Sequence, residues 1–262
     1  MATIRRWHPA VLTLFVALML ATAAVVVSSS RGAFFDTTAN AGNSFEAAAS
    51  FDGIIQVQKV SAASAGDAAS INATYGSAPT QDNLLVLVHH YRDDVTVTLP
   101  AGWTQAVALV SDKSTTTIAY RIAGVAEGTG VTVSVSRSKH QTLHIFEYSG
   151  IDTASPLDKT ASNPCSTPTA SCSSGTTATT SVADELVIAA IGLAGASGSW
   201  DDTWTNAFTE QSTVESTGTS DERSASSIAD RIVTTTGTFE TTEGWTTNHK
   251  AQGAIATFKA AP

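Results

Sequence analysis

The sequence predicts an all-β protein: a jelly-roll-like antiparallel β-sandwich with an internal pseudo-duplication, preceded by an N-terminal apolar helix. Three observations predict it. After residue 45, short alternating or apolar runs recur between Gly, Pro, Asp and Asn, and helical periodicity is nearly absent. Landmark residues recur in the same order in two halves of the chain. The first 33 residues stand apart, with a basic start and a long apolar run.

The N-terminal element comes first. Arg5 and Arg6 precede an apolar run from Ala10 to Val27, the pattern of an export signal. The run is 18 residues long. That exceeds the roughly 7–15 of a typical cleaved signal and reaches the about 17–25 that span a bilayer. Residues 1–33 therefore read as a cleaved signal or as a retained anchor, with membrane contact only through residues 10–27 if uncleaved. Small residues at Ala21–Ala24 and again at Gly32-Ala33 favour cleavage, and Ala33/Phe34 is the candidate junction. Either way, the bulk of the chain is expected to be secreted or associated with the cell surface. Residues 34–50 then form an extended N-terminal segment of the mature chain.

Residues 51–262 are expected to form the sandwich. Strands are predicted at Leu84–Tyr91, Val95–Leu99, Thr116–Ala123, Val131–Ser136, Leu143–Tyr148, Leu186–Leu193, Ser226–Val233 and Ala254–Phe258. Val131, Val133 and Val135 alternate with polar residues, so that strand buries one face. Leu84–Val88 is apolar on both faces and should be central. Asp93-Asp94 reads as a turn, and Pro100-Ala-Gly102 closes another before Trp103. The duplication rests on four landmarks: Asp82–Val86 with Asp184–Ile188, Trp103 with Trp204, Ala119–Ile122 with Ala229–Ile232, and Lys139–Gln141 with Lys250–Gln252. The half-repeats span about 82–150 and 184–259. Each could be a small sandwich, but a unit of that size has little core. The expectation is therefore that each half supplies strands to both sheets, with 152–180 as the crossover.

Composition narrows the partners. Residues 1–33 carry three arginines and no acid, so net charge moves from −9 for the whole chain to −12 without them. An acidic chain with no basic run argues against nucleic acid, because neutralising phosphates needs clustered Lys and Arg. Charged residues are 14% of the chain, against the usual ~25%; Thr, Ser, Ala and Gly fill the gap. Cys165 and Cys172, a close pair in an exported chain, are expected to form a disulfide that clamps a Pro- and Ser-rich connector.

No catalytic motif is present: no Gly-x-Ser-x-Gly elbow, no His-Glu-x-x-His and no phosphate loop. The chain is expected not to be an enzyme. His140 and His144 share a strand face but lie about 13–14 Å apart, too far to ligate one ion. His89 and His90 point to opposite faces. No metal site and no cofactor are expected, although the loop acids Asp93-Asp94, Asp201-Asp202 and Asp221-Glu222 are of a type that calcium uses. Trp200, Asp201, Asp202 and Trp204 are the candidate ligand contacts, since aromatics beside carboxylates suit sugars. Trp204, placed at the repeat, also reads as a core corner.

Two resemblances add a setting. Ala33-Phe-Phe-Asp36, Asn40–Phe45 and the Ala-rich continuation to Phe51-Asp52 resemble the precursor N-termini of camelysin and TasA-like matrix proteins, exported by a dedicated signal peptidase in some bacteria. This implies a mature start near Phe34. Tyr75–Val86, Pro100-Ala-Gly-Trp103, Glu147–Asp152 with Pro156-Leu-Asp158, and Gly253–Phe258 resemble an extracellular β-sandwich module of bacterial surface and phage structural proteins. Together they imply a non-catalytic structural or adhesive protein of the cell surface or matrix. Its expected partner is itself, with Phe34–Phe51 adding as a strand to the next copy. The alternative is a module for surface glycans.

Overall fold

The computed structural model describes residues 53–195, 197, 199–201, 203–219 and 222–262. The apolar run 10–27, the Ala33/Phe34 junction and segment 34–50 lie outside the described residues, as do Asp202 and Asp221. Regular structure among the described residues is strand. In chain order the strands are β1 Ile55–Ala63, β2 Ala68–Thr74, β3 Leu84–Tyr91, β4 Val97–Thr98, β5 Thr104–Ser111, β6 Ser114–Ile122 and β7 Gly130–Lys139. They continue with β8 Gln141–Ser149, β9 Leu157–Ser173, β10 Glu185–Leu193, β11 Thr209–Glu215, β12 Ala225–Val233 and β13 Thr242–Lys259.

The strands form two antiparallel five-stranded sheets, ordered β1-β8-β3-β6-β5 and β11-β12-β10-β13-β9. A third sheet, β2-β7-β4, has three strands. The all-apolar runs sit at the centre of each large sheet. Every residue of β3 and β10 is buried, as a strand covered on both faces requires. β7 alternates buried Val131, Val133 and Val135 with more exposed neighbours, as its pattern predicts.

The duplication is present at the level of hydrogen-bond register. Leu84 pairs with Ile122 and Tyr148, and Leu186 pairs with Ile232 and Phe258. Reading the second sheet from its other edge gives β9-β13-β10-β12-β11, the order of the first sheet element for element. The irregularities repeat too. β5 slips register between Gln105 and Val107, and β11 between Glu210 and Ser212, each where it faces the matching Ala119 or Ala229. Asp82 and Asp184, the residues two before each Leu, both adopt positive φ, 68° and 55°. Aspartate tolerates that region because its short side chain bonds locally.

This arrangement corrects the expected winding. The halves do not exchange strands between sheets in jelly-roll fashion; each builds its own five-stranded sheet. The repeats are also longer than expected, because β1 and β2 belong to the first and β9 to the second. Segment 152–180, expected as a crossover, contains β9, a 17-residue edge strand paired with β13. The physical reason is core volume. Each repeat buries both faces of its sheet, one against the other repeat and one under its own outer layer. In the first repeat that layer is the β2-β7-β4 sheet, over Leu85, Leu87, Leu143 and Ile145. In the second, Trp204, Phe208, Phe239 and Trp245 lie over Val187, Ala189, Ile191 and Ile255. The bridge Trp200–Trp245 stands where β4–β7 stands in the first repeat.

The two large sheets pack face to face through Leu84, Val86, Val88, Ile118, Phe146 and Tyr148 on one side and Leu186, Ile188, Ala190, Ile228 and Phe258 on the other. β1 lies against β11 and β5 against β9, with the central strands stacked between them. This is the self-complementary contact of a twofold dimer, made within one chain.

Candidate functional site

The inner surfaces of the two sheets are apolar at one end and polar at the other. Following β3 from Leu84 towards Tyr91, the inward side chains are Leu84, Val86, Val88 and then His90. On β8 the inward series Tyr148, Phe146 gives way to His144 and Thr142. Thr116 on β6 and Gln252 and Ser226 on β13 and β12 meet them, all buried. His90 Nδ1 lies 2.7 Å from Thr116 Oγ1, and its Nε2 lies 3.0 Å from the Leu193 carbonyl. Thr116 Oγ1 is 2.9 Å from Gln252 Oε1. Gln252 Nε2 donates to the carbonyls of Ser111, at 2.8 Å, and Ser114, at 2.7 Å. His144 contacts the Ser212 and Ser226 hydroxyls at 2.9 and 2.8 Å, and Ser226 also meets Thr142 Oγ1 at 2.6 Å.

Burial pushes the His90 and His144 imidazoles down to about 3, and His89 down to about 4. All three are neutral at ordinary pH. Gly192 makes room for this cluster: a Cβ there would fall 2.0 Å from His90 Nδ1. In the first repeat, the place of Gly192 is taken by His90 itself.

The remaining histidines do other work. His89 points to the opposite face from His90 and bonds Gln141 Oε1 at 2.9 Å through Nε2. His140 sits at the corner between β7 and β8, 3.1 Å from Ser216 Oγ. Among the described residues, no group of three or more His, Cys, Asp or Glu is placed to hold a metal ion. Asp93 is taken by Arg137 at 3.0 Å, and Asp94 accepts from the Lys113 amide at 3.0 Å.

Where the polar seam reaches the surface, two adjoining clefts open, of about 380 and 420 Å3. They share Arg92 and Lys113. The first adds Arg137, Lys139, Asp93 and Glu222; the second adds Lys250, Asp112, Asn248 and His249. Cations outnumber acids along both clefts, although Arg137, Lys139 and Lys250 are paired with Asp93, Asp67 and Asp112. Such a surface attracts acidic groups weakly and in a salt-dependent way.

The residues singled out from the sequence separate in space. Trp204 is buried in the outer core of the second repeat, its Nε1 3.3 Å from Ser227 Oγ. Its ring is therefore not a ligand platform. Trp200 is half-buried and packs edge-on against Trp245 at 5.8 Å. Asp201 beside it is exposed, and its amide donates to the Gly244 carbonyl at 3.0 Å. Cys165 and Cys172 form a disulfide, with Cα atoms 6.0 Å apart. It closes the kink in β9 where residues 166–168 leave the ladder with β13.

The fold and the site together define an antiparallel β-sandwich protein built from two stacked repeats and carrying a disulfide. No protein-family model, no curated protein and no solved structure matches the chain. The buried His90–Thr116–Gln252 group was not singled out from the sequence. The Lys139–Gln141 and Lys250–Gln252 landmark hid it. By register, Gln252 occupies the place of Thr142, not Gln141, because Gly192 pairs with Gln252 and its counterpart His90 with Thr142. A slip of one residue sends a side chain to the opposite face.

Proposed function

We propose that this chain is a non-catalytic structural or adhesive protein of the cell surface or extracellular matrix, joined to further copies of itself by strand addition. One observation supports this most. β1, which follows Phe34–Phe51 directly in the chain, is an edge strand paired only with β8 among the described residues. It also exposes Ile55 and Val57, at 52% and 46%. An open edge offers unpaired N–H and C=O groups to an incoming strand, and exposed apolar side chains add affinity for one. A bulge at Val57 interrupts the ladder, so Gln58–Ala63 is the stretch that an added strand would pair with. Protein beginning at Phe34 is expected to form filaments visible by electron microscopy, and protein lacking residues 34–50 to remain monomeric. Monomers in both preparations would overturn the reading.

A second reading, glycan binding, is favoured by the half-buried Trp200 ring beside the exposed Asp201. It predicts saturable binding on a glycan array that Trp200→Ala removes. Trp204 takes no part in it.

A further inference from the structure

We propose that Thr116 and Gln252 become joined by an ester bond, formed within the folded chain with His90 as the base and ammonia as the leaving group. The reaction needs a hydroxyl, a carboxamide and a base in contact and away from water, and the polar end of the inter-sheet seam brings these three together. Thr116 and His90 are fully buried, and Gln252 is 1% exposed.

The hydrogen-bond partners fix the chemical role of each atom. The Gln252 nitrogen must face the Ser111 and Ser114 carbonyls, because both are acceptors. That leaves Oε1 facing the Thr116 hydroxyl at 2.9 Å. His90 Nε2 faces the Leu193 carbonyl at 3.0 Å, so Nε2 carries the proton and Nδ1 presents its lone pair to Thr116 Oγ1 at 2.7 Å. Thr116 has one hydroxyl hydrogen, and two acceptors face it, His90 Nδ1 and Gln252 Oε1. Only one can be satisfied at a time, and a buried acceptor left without its hydrogen is destabilised. When the hydrogen goes to His90, an Oγ1 lone pair faces the carboxamide. Its carbon lies one carbonyl bond, about 1.2 Å, from Oε1, so attack requires the carboxamide to turn its face towards Oγ1.

The step balances without any outside reagent. Thr116 Oγ1 forms a bond to Gln252 Cδ as His90 Nδ1 takes the hydroxyl proton. The charge that develops on Oε1 forms beside the new imidazolium, which offsets it. When the Cδ–Nε2 bond breaks, Nε2 leaves with its two hydrogens and receives the third from His90 Nδ1, giving ammonia. His90 returns to its neutral form. Burial makes the imidazole a weak base, but the reaction happens once per molecule and has the lifetime of the protein to do so. Groups held in contact gain effective molarities on the order of 10⁵–10⁸ M when well aligned, and the dry site keeps water from hydrolysing the ester.

The bond would tie β6 of the first repeat to β13 of the second, so that shearing the two sheets apart means breaking a covalent bond. The inference does not rest on the surface-protein reading, because its readout is a mass. The reduced, denatured full chain is expected to weigh less than its sequence mass by one ammonia. After proteolysis, a linked pair of peptides carrying Thr116 and Gln252 is expected, split by hydroxylamine or mild alkali. Thr116→Ser keeps the hydroxyl and should retain the loss. Thr116→Val, Gln252→Leu and His90→Gln should abolish it. Full sequence mass in the aged wild-type chain would overturn the proposal, and so would an ammonia loss that maps to a single peptide. Neither result depends on a variant folding.

Discussion

Three buried imidazoles tie the stability of the protein to pH. His89, His90 and His144 are held neutral by burial, at about 4, 3 and 3, against about 6.5 in an unfolded chain. As pH falls below 6.5, the unfolded chain takes up these protons and the native protein does not, so stability is lost towards pH 4. Two carboxyls act in the opposite sense. Burial raises Glu185 to about 7 and raises Asp230, so each protonates in the native state first. Setting Glu185 against the histidines leaves a net difference of about two protons between pH 5 and 6, or roughly 3 kcal/mol per pH unit at most. Urea midpoints measured at pH 7, 6 and 5 are expected to fall steadily. A flat profile would mean that the histidines gain access to water. None of this burial was legible locally. From the sequence, His89 and His90 only point to opposite faces, and only the second repeat closing over the first makes His90 and His144 dry.

Among elements, every strand that went unread sits at a sheet edge, although the edge strand β4 was legible. The central strands β3 and β10 and their neighbours β6, β8, β12 and the end of β13 all carry apolar runs that the sequence displays. The strands it did not reveal, β1, β2, β5, β9 and β11, are all edge strands. An edge strand buries less, so its residues are free to be Gln, Ser, Thr, Lys or Pro, and periodicity fades. β9 is the extreme case. Its Ser166-Thr-Pro168 stretch reads as a connector, yet the strand continues on both sides of it, held by Cys165–Cys172. The two cysteines are 7 residues apart in sequence, so the entropy removed from the unfolded chain amounts to about 2–3 kcal/mol. Cys165→Ser with Cys172→Ser should lower the urea midpoint by a matching amount, measured against the oxidised wild type. An unchanged midpoint would show that the β9–β13 ladder alone sets the kink.

For the molecule as a whole, the twofold-like stacking of two repeats is the dominant fact. Each repeat presents an apolar face to the other, and that face cannot stay in water. Residues 152–262 alone would expose Leu186, Ile188, Ala190, Ile228 and Phe258, a contiguous patch of the kind that drives association. The isolated second repeat is therefore expected to dimerise through this face or aggregate, with strong dye binding to exposed apolar surface, as read by size-exclusion chromatography. A folded, dye-silent monomer would show that the repeats are independent domains. By itself, the sequence determined the all-β class, the central strands, the disulfide and the existence of a repeat, because each is written in local pattern or in order along the chain. Only the tertiary structure decided that each repeat keeps its own sheet, and it selected the core-corner reading of Trp204 over the ligand-contact one. It alone brought His90, Thr116 and Gln252 together. Those outcomes depend on which faces meet across the stack, and a side-chain period of two leaves that choice to a register that one residue of slip reverses.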